Sequence, residues 1–272
     1  MRIASPSRDI YLVVLAGAGG LTALAWFDLW RRAGAMAHDA GTGMNMAMPM
    51  PQPMPWNVPD LLAAAAMWSI MMTAMMLPSA TPMLLFFSGV QRSRRAAPSY
   101  PGCAGPPAGG LGAATVFFVA GFIVIWLVWS WLAAGLHWTL QAFFALSPQL
   151  MVTRVPLAVA FLMVAGVYQF TPLKHACLSR CQSPLGFLLT QWRDGAWGAA
   201  QMGVRYGTYC VGCCWALMAV LFVVGVMNLL WVALLTIFVL LEKTVLRGPW
   251  PSRVTGTLLI GWALYLLRAP AM

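Results

Sequence analysis

Apolar residues run in long unbroken blocks along this chain, and the charged residues are confined to short tracts between them. Neither the alternation of a half-buried strand nor the narrow apolar stripe of a surface helix fits such blocks; helices that are apolar all round do. Seven blocks can cross a bilayer core of about 30 Å at about 1.5 Å rise per residue: 10–27, 59–88, 112–136, 152–170, 204–224, 226–242 and 254–268. The fifth and sixth are parted only by Gly225-Val226-Met227-Asn228, which predicts a tight helical hairpin. The expected fold is therefore all-α, a polytopic transmembrane helix bundle. It has six helices instead of seven if the first block is a leader cleaved after Ala35-Met36-Ala37, but Arg31 and Arg32 between block and site favour an uncleaved anchor.

Composition strengthens the membrane reading. The chain is 61% hydrophobic and 8% charged over 272 residues, with mean hydropathy +0.78, more apolar surface than a soluble fold of this length can bury. A net charge of +10 would point to nucleic acid in a soluble domain; here the basic residues lie at block ends and act as topology signals, so no nucleic-acid partner is expected. With the N-terminus inside, the inner side collects Arg2, Arg8, Arg92, Arg94, Arg95, Lys174, Arg180, Arg193, Arg205, Lys243, Arg247 and Arg253. Arg31, Arg32, Arg154 and Arg268 fall outside. That asymmetry predicts N-in/C-out. It divides the chain into an anchor helix with an external Met/Pro-rich segment, 1–58, and a transmembrane bundle, 59–272, whose inner loop spans 171–203. Within that loop, 182–203 mixes apolar residues with Arg193 and Asp194 and is expected to lie along the inner interface or fold back into the protein. The Pro-, Gly- and Arg-rich stretch 91–110 is a connector, and its Cys103 is incidental.

Methionine changes the picture next. "HDAGTGMNMAMPMPQPMP" (38–55) carries Met44, Met46, Met48, Met50 and Met54 among Pro, Gly and Ala, in a segment with no core to pack. A thioether is a soft neutral ligand that needs no deprotonation, which suits Cu(I) in an oxidising compartment; a linker that has drifted in composition is the plainer alternative. The second block continues the theme, with Met67, Met71 and Met75 spaced by four, and Met72 and Met76 likewise. On a helix each series forms a sulfur stripe with about 6 Å between neighbours. Over this one helix it resembles the methionine ladder of copper-importing channels, although buried methionine is commonly just filler. Pro78 and Pro82 are expected to kink or open the helix and free carbonyls for a polar path.

The cysteines add a second sulfur chemistry. Cys177 and Cys181 share a helical face four residues apart, with His175 nearby, and Cys210, Cys213 and Cys214 stand at i, i+3 and i+4 on one side of the fifth block. Both groups fall on the reducing side of the expected topology, so a structural disulfide is not expected. If the inner loop folds back they can converge on a bound ion; soft thiolates select Cu(I), zinc or an iron–sulfur cluster, and packed neutral thiols are the alternative. Gly203 and Gly207 allow another helix close by. Glu242 and Lys243 end the sixth block and either pair with each other or serve the thiols. His38, His137 and His175 are too scattered for a haem site.

Taken together, "YQFTPLKHACLSRCQSPLGFLL", "YCVGCCWALM", "GVMNLLWVALL", "LEK" and "MMTAMMLPSATPM" resemble a bacterial family catalogued as a domain of unknown function and described as predicted metal-binding integral membrane proteins. The resemblance covers about residues 59–243. It implies a multi-pass protein of the bacterial inner (cytoplasmic) membrane and points to Cys177, Cys181, Cys210, Cys213 and Cys214 as ligands. Many members carry histidine where this chain has Tyr206. The expected function is to bind a soft metal ion, Cu(I) first, for transport or delivery across the membrane, with capture at Met44–Met50, relay along Met67, Met71 and Met75, and the thiols as the inner station. A periplasmic or cytoplasmic metallochaperone would be the exchanging partner. No phosphate-binding loop is present, so a nucleotide-driven pump would need another subunit. A transmembrane thiol–disulfide relay and an assembly factor for a copper enzyme remain alternatives.

Overall fold

The computed structural model describes residues 8–42, 58–96, 111–143, 152, 154–246 and 248–268. Among them the chain is all-α, with ten helical segments: α1 (Arg8–Thr42), α2 (Val58–Ala96), α3 (Leu111–Ala142), α4 (Val155–Tyr168), α5 (Pro172–Gln182), α6 (Pro184–Gln191), α7 (Gly195–Ala219), α8 (Leu221–Val224), α9 (Leu229–Thr244) and α10 (Trp250–Arg268). Three of the described helices are long and apolar enough to cross a membrane: Val58–Arg94, Gly112–Ala142 and Gly195–Val224. α4 and α5, bent by 63° at their junction, make a fourth span if counted as one.

Of the three spans α2 and α7 are the more deeply buried; α3 packs against both and presents Val116, Phe117, Val124, Val128 and Leu132 outward. α3 and α7 touch backbone to backbone because neither carries side chains at the crossing. A methyl on Gly203 would collide with the Phe118 carbonyl, one on Gly207 would sit 3.3 Å from the Phe122 carbonyl, and one on Gly121 would strike Ala200 and Val204. α4 and α10 are joined by the facing pair Gly166 and Gly256 in the same way.

Two expectations are corrected, and a third segment gains detail. The inner segment 171–203 is largely helical, holding α5, α6 and the first turns of α7. Pro172 and Pro184 stand at helix first turns, where the missing N–H costs nothing, and Thr171 caps α5 by accepting from the Lys174 N–H at 3.3 Å. The turn at Gly225, with φ +96°, is present, but α9 then leaves α7 and runs chiefly along α2, so the hairpin opens. Pro78 and Pro82 lie inside a continuous α2. The carbonyl that Pro78 leaves free, that of Ala74, accepts the Trp26 indole N–H from α1 at 3.2 Å, so a neighbouring helix fills the vacancy instead of a polar path.

Candidate metal centre

The site grows from the bend between α4 and α5. Tyr168 ends α4 and its hydroxyl donates to the Gly212 carbonyl on α7, fixing where α5 departs. α5 then lays Lys174, Leu178 and Cys181 inward at helical spacing. Cys181 is buried beside Cys213 of α7. Cys177, one turn earlier, is half-buried with its sulfur over Gly212, so close that a Cβ there would come within 2.7 Å. The absence of a side chain at 212 is what admits it.

Cys210, Cys213 and Cys214 are each about 1% exposed. The thiols of Cys213 and Cys214 donate to the Cys210 carbonyl at 3.1 and 2.9 Å. The Cys214 sulfur also lies 3.8 Å from the Met76 thioether sulfur. Tyr206 lies one turn below, beside Cys181 and Cys210, walled by Phe118, Phe122 and Phe187. The five described cysteines are free thiols.

Two lysines are buried with these groups. Lys174 binds Glu242 at 2.7 Å, with both side chains at most 1% exposed, and also donates to Gln169. Ser252 of α10 donates to the same carboxylate at 2.7 Å, and Gln182 caps the carbonyls of Glu242 and Leu246 at 2.8 and 3.1 Å. Lys243 does not pair with its neighbour Glu242, which Lys174 has taken. Its ammonium donates to the Cys210 sulfur at 2.9 Å and to the Ser79 hydroxyl at 3.2 Å. Both lysines were read from sequence as inner-loop charge; burial removes them from that tally, because a charge paired inside the protein does not mark a loop.

Met67, Met71, Met72, Met75 and Met76 are all buried in the core. Met67, Met71 and Met75 share the core cluster with the buried thiols, and the thioether 3.8 Å from the Cys214 sulfur is that of Met76, in the second stripe. Met44, Met46, Met48 and Met50 lie outside the described residues. His175 is half-buried on the flank of α5 and makes no hydrogen bond to the thiols. Among the described residues no three His, Cys, Asp or Glu side chains form a ready-made cage for an ion; what is assembled is thiol pairs, one thioether and one ammonium. Sequence reasoning missed Ser79 and Lys174 as parts of this region. The usable signal was an ionisable residue adjoining apolar helices, which is rare unless it has a partner.

Comparison with curated proteins and with solved structures finds no match. A family model, PpoB2, described as copper chaperone, matches residues 65–266, in accord with the resemblance to metal-related membrane proteins. The match takes in most of α2, all of α3 to α9 and nearly all of α10, with every thiol and buried charge described above, and the chain belongs to the PpoB2 family of copper chaperones.

Proposed function

We propose that this protein is a multi-pass protein of the bacterial inner membrane, N-terminus inside, that takes Cu(I) as cargo and holds it on a pair of buried thiolates for delivery or transfer across the membrane. The meeting of α5 and α2 with the cysteine face of α7, which brings Cys181 beside Cys213 and the Met76 sulfur to 3.8 Å from that of Cys214, is the observation that carries the reading. Cu(I) is satisfied by two or three soft donors, and a thiol pair backed by a thioether supplies that number; zinc asks for four, commonly with imidazole or carboxylate. The ligand set is Cys181, Cys210, Cys213 and Cys214 with Met76, and Cys177 stands at the rim as an entry or exit ligand. The family description supports copper, and the apolar spans support the membrane.

In this reading the segment before residue 58 acts as the outer capture arm, with Met44, Met46, Met48 and Met50 as weak ligands, and Met67, Met71 and Met75 lead inward. Transfer proceeds by ligand exchange, each sulfur joining before the last departs, and a soluble metallochaperone on either side gives or receives the ion.

The test is metal analysis of anaerobically purified full-length protein beside Cys210→Ser/Cys213→Ser/Cys214→Ser. The expected result is one Cu(I) per chain in the parent and none in the variant. Folded protein that takes no Cu(I) but forms a disulfide on mild oxidation would overturn the proposal in favour of a thiol–disulfide relay.

A further inference from the structure

A cation-binding cluster with a buried ammonium at its heart needs explaining, because like charge opposes the cargo. Lys243 is 5% exposed and, among the described residues, has no carboxylate partner: Glu242 is committed to Lys174 and Ser252. The groups within its electrostatic reach are Cys210, Cys213, Cys214 and Cys181, with Ser79 as the neutral anchor. Sulfur is thus the counterion the fold provides.

Charge counting shows what such an arrangement favours. Two thiolates holding a monovalent ion carry one negative charge, which Lys243 cancels. Two thiolates holding a divalent ion are neutral already, and Lys243 leaves an uncompensated positive charge. Four thiolates around a divalent ion leave a negative charge even after Lys243 is counted. Three would balance only with a neutral fourth donor, and the neutral donors at hand, a fourth cysteine kept as its thiol and the Met76 thioether, are both poor ligands for zinc, whereas the thioether suits Cu(I). In apolar surroundings an uncompensated charge is strongly disfavoured, so the neutral assembly that also satisfies the ion's coordination is the bis-thiolate monovalent one.

Resting on the Cu(I) reading above, we infer that Lys243 is the specificity-determining residue of the site: a fixed countercharge that makes the thiol cluster accept soft monovalent ions and discriminate against divalent ones. Its placement is supported from two sides. It sits in the last turn of α9, where the helix carbonyls favour a cation, and Ser79 holds it from the same turn of α2 that presents Met76.

The test compares parent, Lys243→Met, Lys243→Arg and Ser79→Ala, all full length in detergent under anaerobic conditions. Each is titrated with Cu(I), Ag(I) and Zn(II) against chromophoric competitors. Lys243→Met is expected to weaken Cu(I) and Ag(I) about 10- to 100-fold, as loss of a partner to metal ligands does, while Zn(II) binding holds or tightens. Lys243→Arg keeps the charge and should stay within a few-fold of the parent, and Ser79→Ala, which releases the ammonium from its anchor, should shift the Cu(I)-to-Zn(II) ratio in the same direction by less. Unchanged Cu(I) affinity in Lys243→Met, or an equal loss for all three ions, would overturn the inference while leaving the copper reading intact. A folded parent that binds neither Cu(I) nor Ag(I) would instead remove the copper reading itself. If Lys243→Met does not fold, the ratio in Ser79→Ala decides: no shift sinks the inference.

Discussion

The two buried lysines lie close together and are partnered in opposite ways. Lys174 meets a carboxylate, an amide and, through that carboxylate, a serine; Lys243 meets a thiol and a hydroxyl. The first set gathers α4, α5, α9 and α10, and its charges are matched within the protein. The second gathers α2, α7 and α9, and its balance depends on how many thiols are ionised, which is what a bound metal changes. Adjacent residues of one helix, Glu242 and Lys243, thus serve a closed network and an open one. On the proposed copper reading, the difference separates what holds the bundle together from what binds its cargo.

That division can be broken by experiment, with the largest loss of folding stability expected in the closed network. Glu242→Ala leaves Lys174 buried without its partner and should cost about 3–5 kcal/mol, read as a large drop in thermal midpoint in detergent. Lys174→Met/Glu242→Met, which removes both charges, should recover most of it; no recovery would mean that the pair is not the source of the loss. Ser252→Ala takes one hydrogen bond from the same carboxylate and should cost about 1.5–3 kcal/mol by the same measurement. Trp26→Phe orphans the Ala74 carbonyl and should cost about 1 kcal/mol, with copper loading unchanged. Cys213→Ser should move the midpoint least of all, by less than about 1 kcal/mol, yet lose the copper that the other four variants retain when folded. A Cys213→Ser protein as unstable as Glu242→Ala would erase the distinction.

How much of this was legible in the sequence differs by the range of the interaction. The helical blocks, the shared face of Cys210, Cys213 and Cys214, and the close approach at Gly203 and Gly207 follow from local composition and spacing, and each is found in the structure. Within 171–203 the shared face of Cys177 and Cys181 was legible, while the bounds of α5 and α6, set by Pro172 and Pro184 in their first turns, were not. The choice of Met76 over Met75 could not be made locally: the two stripes differ by one residue, about 100° around the helix, and only the position of α7 selects between them. Lys174 finds Glu242 across 68 residues of chain, and no pattern along the sequence announces such a pairing. Pro78 misled in a similar way, since the group that satisfies the freed carbonyl comes from a different helix, 48 residues earlier.

A single turn of α2, Met76 to Ser79, holds both the thioether on Cys214 and the hydroxyl on Lys243. Mechanically that turn is one lever with two ends. On the copper reading proposed above, a slide of α2 by one residue, about 1.5 Å along its axis, would withdraw the soft ligand and unmoor the ammonium in the same stroke, so that the grip on the ion and the charge that balances it would be released together.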